Sequence, residues 1–297
     1  MKIDALHPFG AVCDIDLRTP LSDAQRHEML EAFDEYSILV FKGQSIDDAQ
    51  QIRFSENFGV LERTIAANPA GGSAFARQSN LDIETGQAMP PEDVRMRYQL
   101  GNHMWHSDSS FKATPSLCSI LSARILPPTG GETEFANTRL AYAALAAGET
   151  ARLEGLQCEH SLSYSRAIVA PDLLTRTQRE EVPPVTHPLV RSNPRHGRRA
   201  LFIGAHASRI VDWPLAQGRA LLGELLSFAT QRQFQYVHHW EPGDVVVWDN
   251  RCCLHRATPY DAIRYKRLMQ RTTVAGRANE PGYEQIEREP TRQADNA

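Results

Sequence analysis

Asp244-Val245-Val246-Val247-Trp248-Asp249-Asn250-Arg251-Cys252-Cys253-Leu254-His255 is the stretch from which the chain is best read. Its first half is a β-branched apolar run, too brief for a helix, and it reads as a buried strand. The turn signal Glu241-Pro242-Gly243-Asp244 introduces it. Runs of the same kind recur upstream: Ser119-Ile120-Leu121-Ser122-Ala123, Ala200-Leu201-Phe202-Ile203 and Phe234-Gln235-Tyr236-Val237. Pro127-Pro128-Thr129-Gly130-Gly131 is a further turn signal among them, and a helix over 215–230 interrupts the series. Many short strands with a few helices predict a mainly β protein, a double-stranded β-helix (jelly roll) core with helical decoration. An α+β layout would carry much the same pattern.

Further out, Ser22 is placed to cap a helix running to about residue 34, with Met29, Leu30 and Phe33 at helical spacing. Ser37-Ile38-Leu39-Val40-Phe41 reads as a second buried strand, and Lys42-Gly43-Gln44 turns the chain. Ser45 is expected to cap the next helix, with Asp47 and Asp48 in its first turn and Gly59 at its end. Residues 62–100 and 165–186 show no clear periodicity and read as long functional loops or disordered segments. The expected organisation is one domain over 1–276 and a polar tail over 277–297.

Composition narrows the function. The 297 residues carry a formal charge of -4 and 41% hydrophobic residues, ordinary for a globular chain. Nucleic-acid binding is not expected, because no basic stripe is present and Arg195-His196-Gly197-Arg198-Arg199 reads as a solvated loop. Five cysteines, an odd number without a CxxC pair, read as reduced thiols in a cytoplasmic protein. Met1-Lys2-Ile3-Asp4 opens no apolar signal segment, and no run reaches membrane-spanning length.

Trp105-His106-Ser107-Asp108 holds a His-x-Asp pair whose side chains would share one face of a strand. His255 follows the strand at Asp244-Trp248. Two imidazoles and a carboxylate make the facial triad of non-haem Fe(II) oxygenases, with positions open for a 2-oxo acid and O2. Alone, each of these residues is more often surface decoration or packing. Arg267 and Arg271 add weight, because their even spacing in Arg267-Leu268-Met269-Gln270-Arg271 puts both on one strand face. Arginine matches carboxylates in a two-pronged way that lysine cannot. One could grip the far carboxylate of 2-oxoglutarate and the other an anionic substrate; a solvent-facing basic strand would look the same.

Trp105-His106-Ser107-Asp108-Ser109-Ser110-Phe111, Gly130-Gly131-Glu132-Thr133-Glu134-Phe135 and the stretch from Trp248 to His255 resemble the taurine dioxygenase superfamily of Fe(II)/2-oxoglutarate enzymes. Leu6-His7-Pro8, Leu189-Val190-Arg191 and Phe202-Ile203-Gly204-Ala205-His206-Ala207-Ser208 resemble its 2,4-dichlorophenoxyacetate dioxygenase branch. The resemblance implies that His106, Asp108 and His255 are the catalytic metal ligands. It implies that Thr133 and Arg267 bind 2-oxoglutarate, that Arg271 binds the substrate's acidic group, and that His206 belongs to the aryloxy pocket. The implied reaction consumes Fe(II)-bound 2-oxoglutarate and O2, and cleaves an aryloxyalkanoate to a phenol and glyoxylate with succinate and CO2. A sulfonate or alkylsulfate dioxygenase is the alternative; a Zn enzyme or a silent metal-binding jelly roll is a more remote one. The expected partner is a small anionic molecule, and a homo-oligomer is expected. The chain departs from the branch in two places: Thr64-Ile65-Ala66-Ala67-Asn68-Pro69 has no lysine, and Asn193 stands where the branch has a histidine, with His187 and His196 nearby.

Overall fold

The computed structural model describes residues 1–65, 68, 71–193 and 195–276. Its larger sheet orders seven strands as Lys2–Ala5, Ala11–Asp14, Ile38–Phe41, Val245–Asp249, Ser116–Ile125, Leu268–Ala275 and Phe75–Ser79. All neighbours are antiparallel except Ala11–Asp14 against Ile38–Phe41. A smaller sheet orders Gln235–His238, Thr133–Asn137 and Cys253–Ala257.

Alternation along the central strands explains why their sequences are apolar throughout. Val246 and Trp248 pack with Leu121, Met269 and Phe135, which joins the two sheets face to face. Val245 and Val247 point the other way, into a cluster with Met29, Phe33, Phe54 and Phe58 under the first two helices. The neighbouring strand divides identically: Ile38 and Val40 go to the inter-sheet layer, Leu39 and Phe41 to the helical one. A strand covered on both faces needs no polar side. The two packed sheets form the expected jelly-roll core.

The helix Asp23–Tyr36 begins where the sequence indicates: Ser22 accepts from the Gln25 amide, and Gln25 bonds back to Ser22. The second helix does not begin at Ser45. It spans Asp48–Ser55, and Asp47 accepts from the Gln50 amide. Ser45 has φ 44, outside the extended conformation an N-cap requires; its amide instead bonds Gly243 O, far along the chain. The helix also stops at Ser55, short of Gly59.

Both segments read as loops contain regular structure. Within 62–100 lie the strand Phe75–Ser79 and the helix Val94–Gln99, followed by a 3-10 turn over Leu100–His103. The strand, Phe-Ala-Arg-Gln-Ser, sits at the sheet edge and lacks the continuous apolar run of a covered strand. Within 165–186 lie most of Leu162–Val169, an 8-residue helix, and Arg176–Glu181, a 6-residue one. Elements that short span too few turns to display a period. The tail after residue 276 lies outside the described residues. Among the described residues no helix is long and apolar enough to cross a membrane.

Candidate active site

His255 lies on Cys253–Ala257, opposite Phe135 of the adjacent strand. His106 pairs with it across an isolated antiparallel bridge: His106 N–H donates to His255 O at 3.1 Å, and His255 N–H to His106 O at 2.8 Å. The bridge sets the imidazoles side by side, ring centroids 4.2 Å apart. Trp248, 4.6 Å from the His255 ring centroid, backs the pair.

Asp108 reaches them by a different route from the one its spacing suggests. Only His106 is in the bridge; Asp108 lies in the following turn, where Ser109 has φ 53. Hydrogen bonds rather than strand pleating aim the carboxylate. The Asp108 amide donates to Asn250 Oδ1 at 3.2 Å, Ser116 Oγ donates to Asp108 O at 2.8 Å, and Ser119 Oγ to Asp108 Oδ2 at 2.7 Å. Asn250 also accepts from Trp248 Nε1 at 3.0 Å and donates to Ser119 Oγ at 3.0 Å. It therefore ties the strand behind His255 to the turn carrying Asp108.

The three side chains are buried, and their ligand atoms lie within 4.8 Å of one another. His255 Nε2 is 3.6 Å from Asp108 Oδ2, and His106 Nε2 is 3.9 Å from Asp108 Oδ1. Atoms bonded to one transition metal at about 2.1 Å lie roughly 3–4 Å apart, so this spacing fits a divalent ion. The donor set fits as well. His106 Nδ1 donates to Met104 O at 2.8 Å, which leaves the Nε2 lone pair for a metal. Burial pushes the pKa of His106 down, and that of His255 well down, so both imidazoles are neutral ligands. Burial alone would raise the Asp108 carboxyl, but Arg271, His255, His106 and the Ser119 hydroxyl outweigh it and hold the pKa well below the carboxylate range.

Two cavities meet at this triad, sharing His106, Arg271, Gln78, Gln99 and Asn102 as walls. The first is lined by His255, Trp248, Thr133, Tyr260 and Arg267. Arg267 is buried there, with Nη2 donating to Gly131 O at 2.9 Å and its guanidinium 5.7 Å from the Tyr260 ring centroid. Its Nε has no hydrogen-bond partner, and among the described residues no carboxylate reaches ion-pair distance, Glu132 acting on it only from farther off. Burial lowers its pKa to about 10, still a full cation at neutral pH. Thr133 Oγ1 accepts from Trp240 Nε1 at 3.0 Å, so its own proton is free to be donated.

The second cavity is lined by Asp108, His206, Phe111, Ile65, Tyr98 and Arg166. His206 is buried, its ring edge-on to Phe111 at 4.8 Å. Ser165 Oγ donates to Leu162 O at 2.9 Å and must therefore accept from His206 Nδ1 at 2.8 Å. Burial, then Arg166, holds the His206 pKa well down. A neutral ring protonated on Nδ1 leaves Nε2 an acceptor, so His206 serves this cavity as an aromatic wall and not as a donor to an anion. Arg271 stands where the cavities join, with Nη1 on Asp108 Oδ1 at 2.6 Å and Nε unpartnered.

The structure thus gathers His106, Asp108 and His255 at one point, with Thr133 and Arg267 in one cavity, His206 in the other and Arg271 between. Asn193 lies elsewhere, donating to Asp34 at 3.0 Å. Asn250 and Ser119 were not singled out by sequence, although Asn250 stands within the quoted stretch. Arg166 was missed because its segment showed no periodicity.

Known proteins are similar to this chain along nearly its whole length. An alpha-ketoglutarate-dependent 2,4-dichlorophenoxyacetate dioxygenase of Cupriavidus pinatubonensis is 43% identical over 275 residues, covering 91% of this chain and 96% of that protein. An (S)-phenoxypropionate/alpha-ketoglutarate-dioxygenase of Sphingobium herbicidovorans is 37% identical over 274 residues, covering 90% of this chain and 92% of its own. The crystal structure of AAD-2 in complex with Mn(II) and N-oxalylglycine superimposes with a TM-score of 0.87 at 41% identity, covering 94% of this chain and 99% of that one. The family model described as taurine catabolism dioxygenase TauD, TfdA family matches residues 2–273, and the chain belongs to that family.

Proposed function

We propose that this chain is a non-haem Fe(II) dioxygenase that consumes 2-oxoglutarate and O2 to hydroxylate aryloxyalkanoic acids. The observation that carries the reading is Arg267, a buried cation without a carboxylate partner, in a cavity that opens onto the triad. A hydrolytic zinc site or a silent metal site has no use for such a clamp. An organic dianion bound at the metal supplies the missing charge, and the Thr133 hydroxyl donates to the same carboxylate.

His106 and His255 would hold Fe(II) through Nε2 and Asp108 through one carboxylate oxygen, while Arg271 and Ser119 fix the carboxylate's orientation. The bound iron, with 2-oxoglutarate and O2, supplies the oxidant that places a hydroxyl on the substrate carbon next to the ether oxygen. The resulting hemiacetal collapses to a phenol and an oxo acid, glyoxylate for a phenoxyacetate, with succinate and CO2 from the co-substrate. His206 and Phe111 provide an aromatic wall for the ring, and the unpartnered Nε of Arg271 offers a contact to the acid. Positioning one C–H bond is the protein's contribution to rate.

The test is to incubate the Fe(II)-loaded enzyme with 2-oxoglutarate, O2 and a panel of phenoxyacetates, phenoxypropionates, alkyl sulfonates and alkyl sulfates. Phenol formed in step with succinate is the expected result. Sulfite or sulfate release without phenol from any aryloxy acid would replace the substrate class with sulfonates or sulfate esters.

A further inference from the structure

The charged groups facing the second cavity are nearly all accounted for. Lys112 Nζ sits 2.5 Å from Glu62. Arg95 is shared between Asp82 at 2.6 Å and Asp93 at 2.7 Å. Arg271 is engaged with Asp108. Arg63 is exposed and Arg77 half-exposed, so water solvates both. Arg166 differs from all of these. It is buried, no carboxylate pairs with it among the described residues, and its Nε is buried without a hydrogen-bond partner. A buried cation left unpaired is strongly unfavourable unless something else supplies the counter-charge.

Its placement is nonetheless tightly defined. Arg166 projects from the helix Leu162–Val169, whose N-cap Ser161 accepts from the Tyr164 amide. The guanidinium carbon stacks 4.2 Å from the Tyr98 ring centroid. On the other side it lies against Gly101, where a Cβ would come within 2.0 Å of Nη1, so only glycine leaves room for the group there. The guanidinium is thus held between an aromatic face and bare backbone, in the cavity that Asp108, His106 and His206 also line. His206 cannot supply a donor to an anion, and the charge of Arg271 is already compensated.

We propose that Arg166 is the principal anchor for the substrate's anionic head group, with Arg271 a secondary contact. The inference rests on the substrate class proposed above. It also accounts for the absence of a lysine between Thr64 and Pro69, since the cation that meets the acid comes from the helix at 162–169 instead. The acid group docks on the guanidinium edge not covered by Tyr98 and Gly101. The aryl ring lies against Phe111 and His206.

The test compares Arg166→Leu, Arg166→Gln and Arg166→Lys with the wild type in the Fe(II)- and 2-oxoglutarate-loaded enzyme, using phenoxyacetate and its neutral amide. Arg166→Leu should raise KM for the acid about 30-fold or more, the scale set by losing one charged contact in a desolvated site. It should also erase the preference for acid over amide, which loss of a purely structural residue would not do. Arg166→Lys should recover part of both. Anaerobic calorimetry of phenoxyacetate binding should show the same order, with 2-oxoglutarate binding unaffected. Should Arg166→Leu fail to fold, Arg166→Gln gives the same comparison. An unchanged KM for the acid, or an acid preference that survives in Arg166→Gln, overturns the inference. Wild-type turnover of alkyl sulfates and of no aryloxy acid overturns the substrate class instead; the variants are then compared on the sulfate, and an unchanged KM there overturns the anchor as well.

Discussion

Arg267→Leu should weaken 2-oxoglutarate binding severely while leaving the unliganded protein about as stable as before. The two halves of this prediction have separate origins. Burial takes the guanidinium from 12.5 to about 10, which at 1.36 kcal/mol per pKa unit is a penalty on the order of 3 kcal/mol against the charged form. Leucine removes that penalty. It also removes the hydrogen bond to Gly131 O and the contact over Tyr260, together about 2–4 kcal/mol. The opposing contributions nearly cancel, and the unfolding midpoint of the ligand-free variant should sit within a few degrees of wild type. Binding has no such cancellation. The distal carboxylate loses the buried guanidinium proposed to grip it, a loss of about 2–5 kcal/mol, or roughly 30- to 4,000-fold in affinity. The assay is anaerobic calorimetry of 2-oxoglutarate with the metal-loaded variant, alongside thermal unfolding of the apoprotein. An unchanged 2-oxoglutarate affinity would refute the clamp. A large drop in apoprotein stability with normal affinity would show Arg267 to be a structural residue.

Thr133→Val removes a donor without changing shape and should raise the 2-oxoglutarate KM by about 5- to 10-fold; steady-state titration of the co-substrate decides it, and an unchanged KM assigns the hydroxyl to Trp240 alone. Asn250→Ala breaks the link between Trp248, Ser119 and the Asp108 turn and should weaken metal binding by about 10- to 100-fold, as loss of a ligand-orienting contact does. Equilibrium Mn(II) titration checks this, with native-like affinity as the contrary result. Asp244 predicts a pH dependence of stability. Burial would raise its carboxyl, but His238, Lys42 and backbone amides hold it below its ordinary value of 3.8. A depressed carboxylate stabilises the fold while ionised, fully above the unfolded value, and that contribution is lost as pH falls through the lower folded value. Asp244→Asn should therefore destabilise by about 1–3 kcal/mol at neutral pH. In urea unfolding the gap to wild type should close as pH falls below 3.8; a gap constant with pH would rule out the ionised group as the source.

The residues of the candidate site were legible where chemistry restricts residue type. A transition metal accepts few donor sets, so the order His106, Asp108, His255 points to one even before its geometry is known. The geometric reason attached to that order was nevertheless mistaken. Asp108 is not held by a strand pleat but by Asn250, Ser116 and Ser119, contacts from residues far along the chain that no local pattern announces. The fold divides in the same way. Val245 to Trp248 and Ile38 to Phe41 were visible because covering both faces demands apolar residues throughout, whereas Phe75–Ser79 was hidden because an edge position makes no such demand.

Arg166 was beyond local reading for a further reason. Its distinguishing property is the lack of a neutralising carboxylate, and that depends on where every acidic side chain of the fold finishes. In sequence it is one arginine among many. In the structure Arg95 has Asp82 and Asp93, Lys112 has Glu62 and Arg271 has Asp108. Among the described residues three buried arginines have no acid: Arg139 is held by the carbonyls of Asp34 and Glu35, whereas Arg166 and Arg267 occupy the two cavities that meet at the triad. One buried cation without an acid is explained by a co-substrate. A second one, in the other cavity, calls for a second anion, and the reaction proposed for this site brings two organic acids to a single metal.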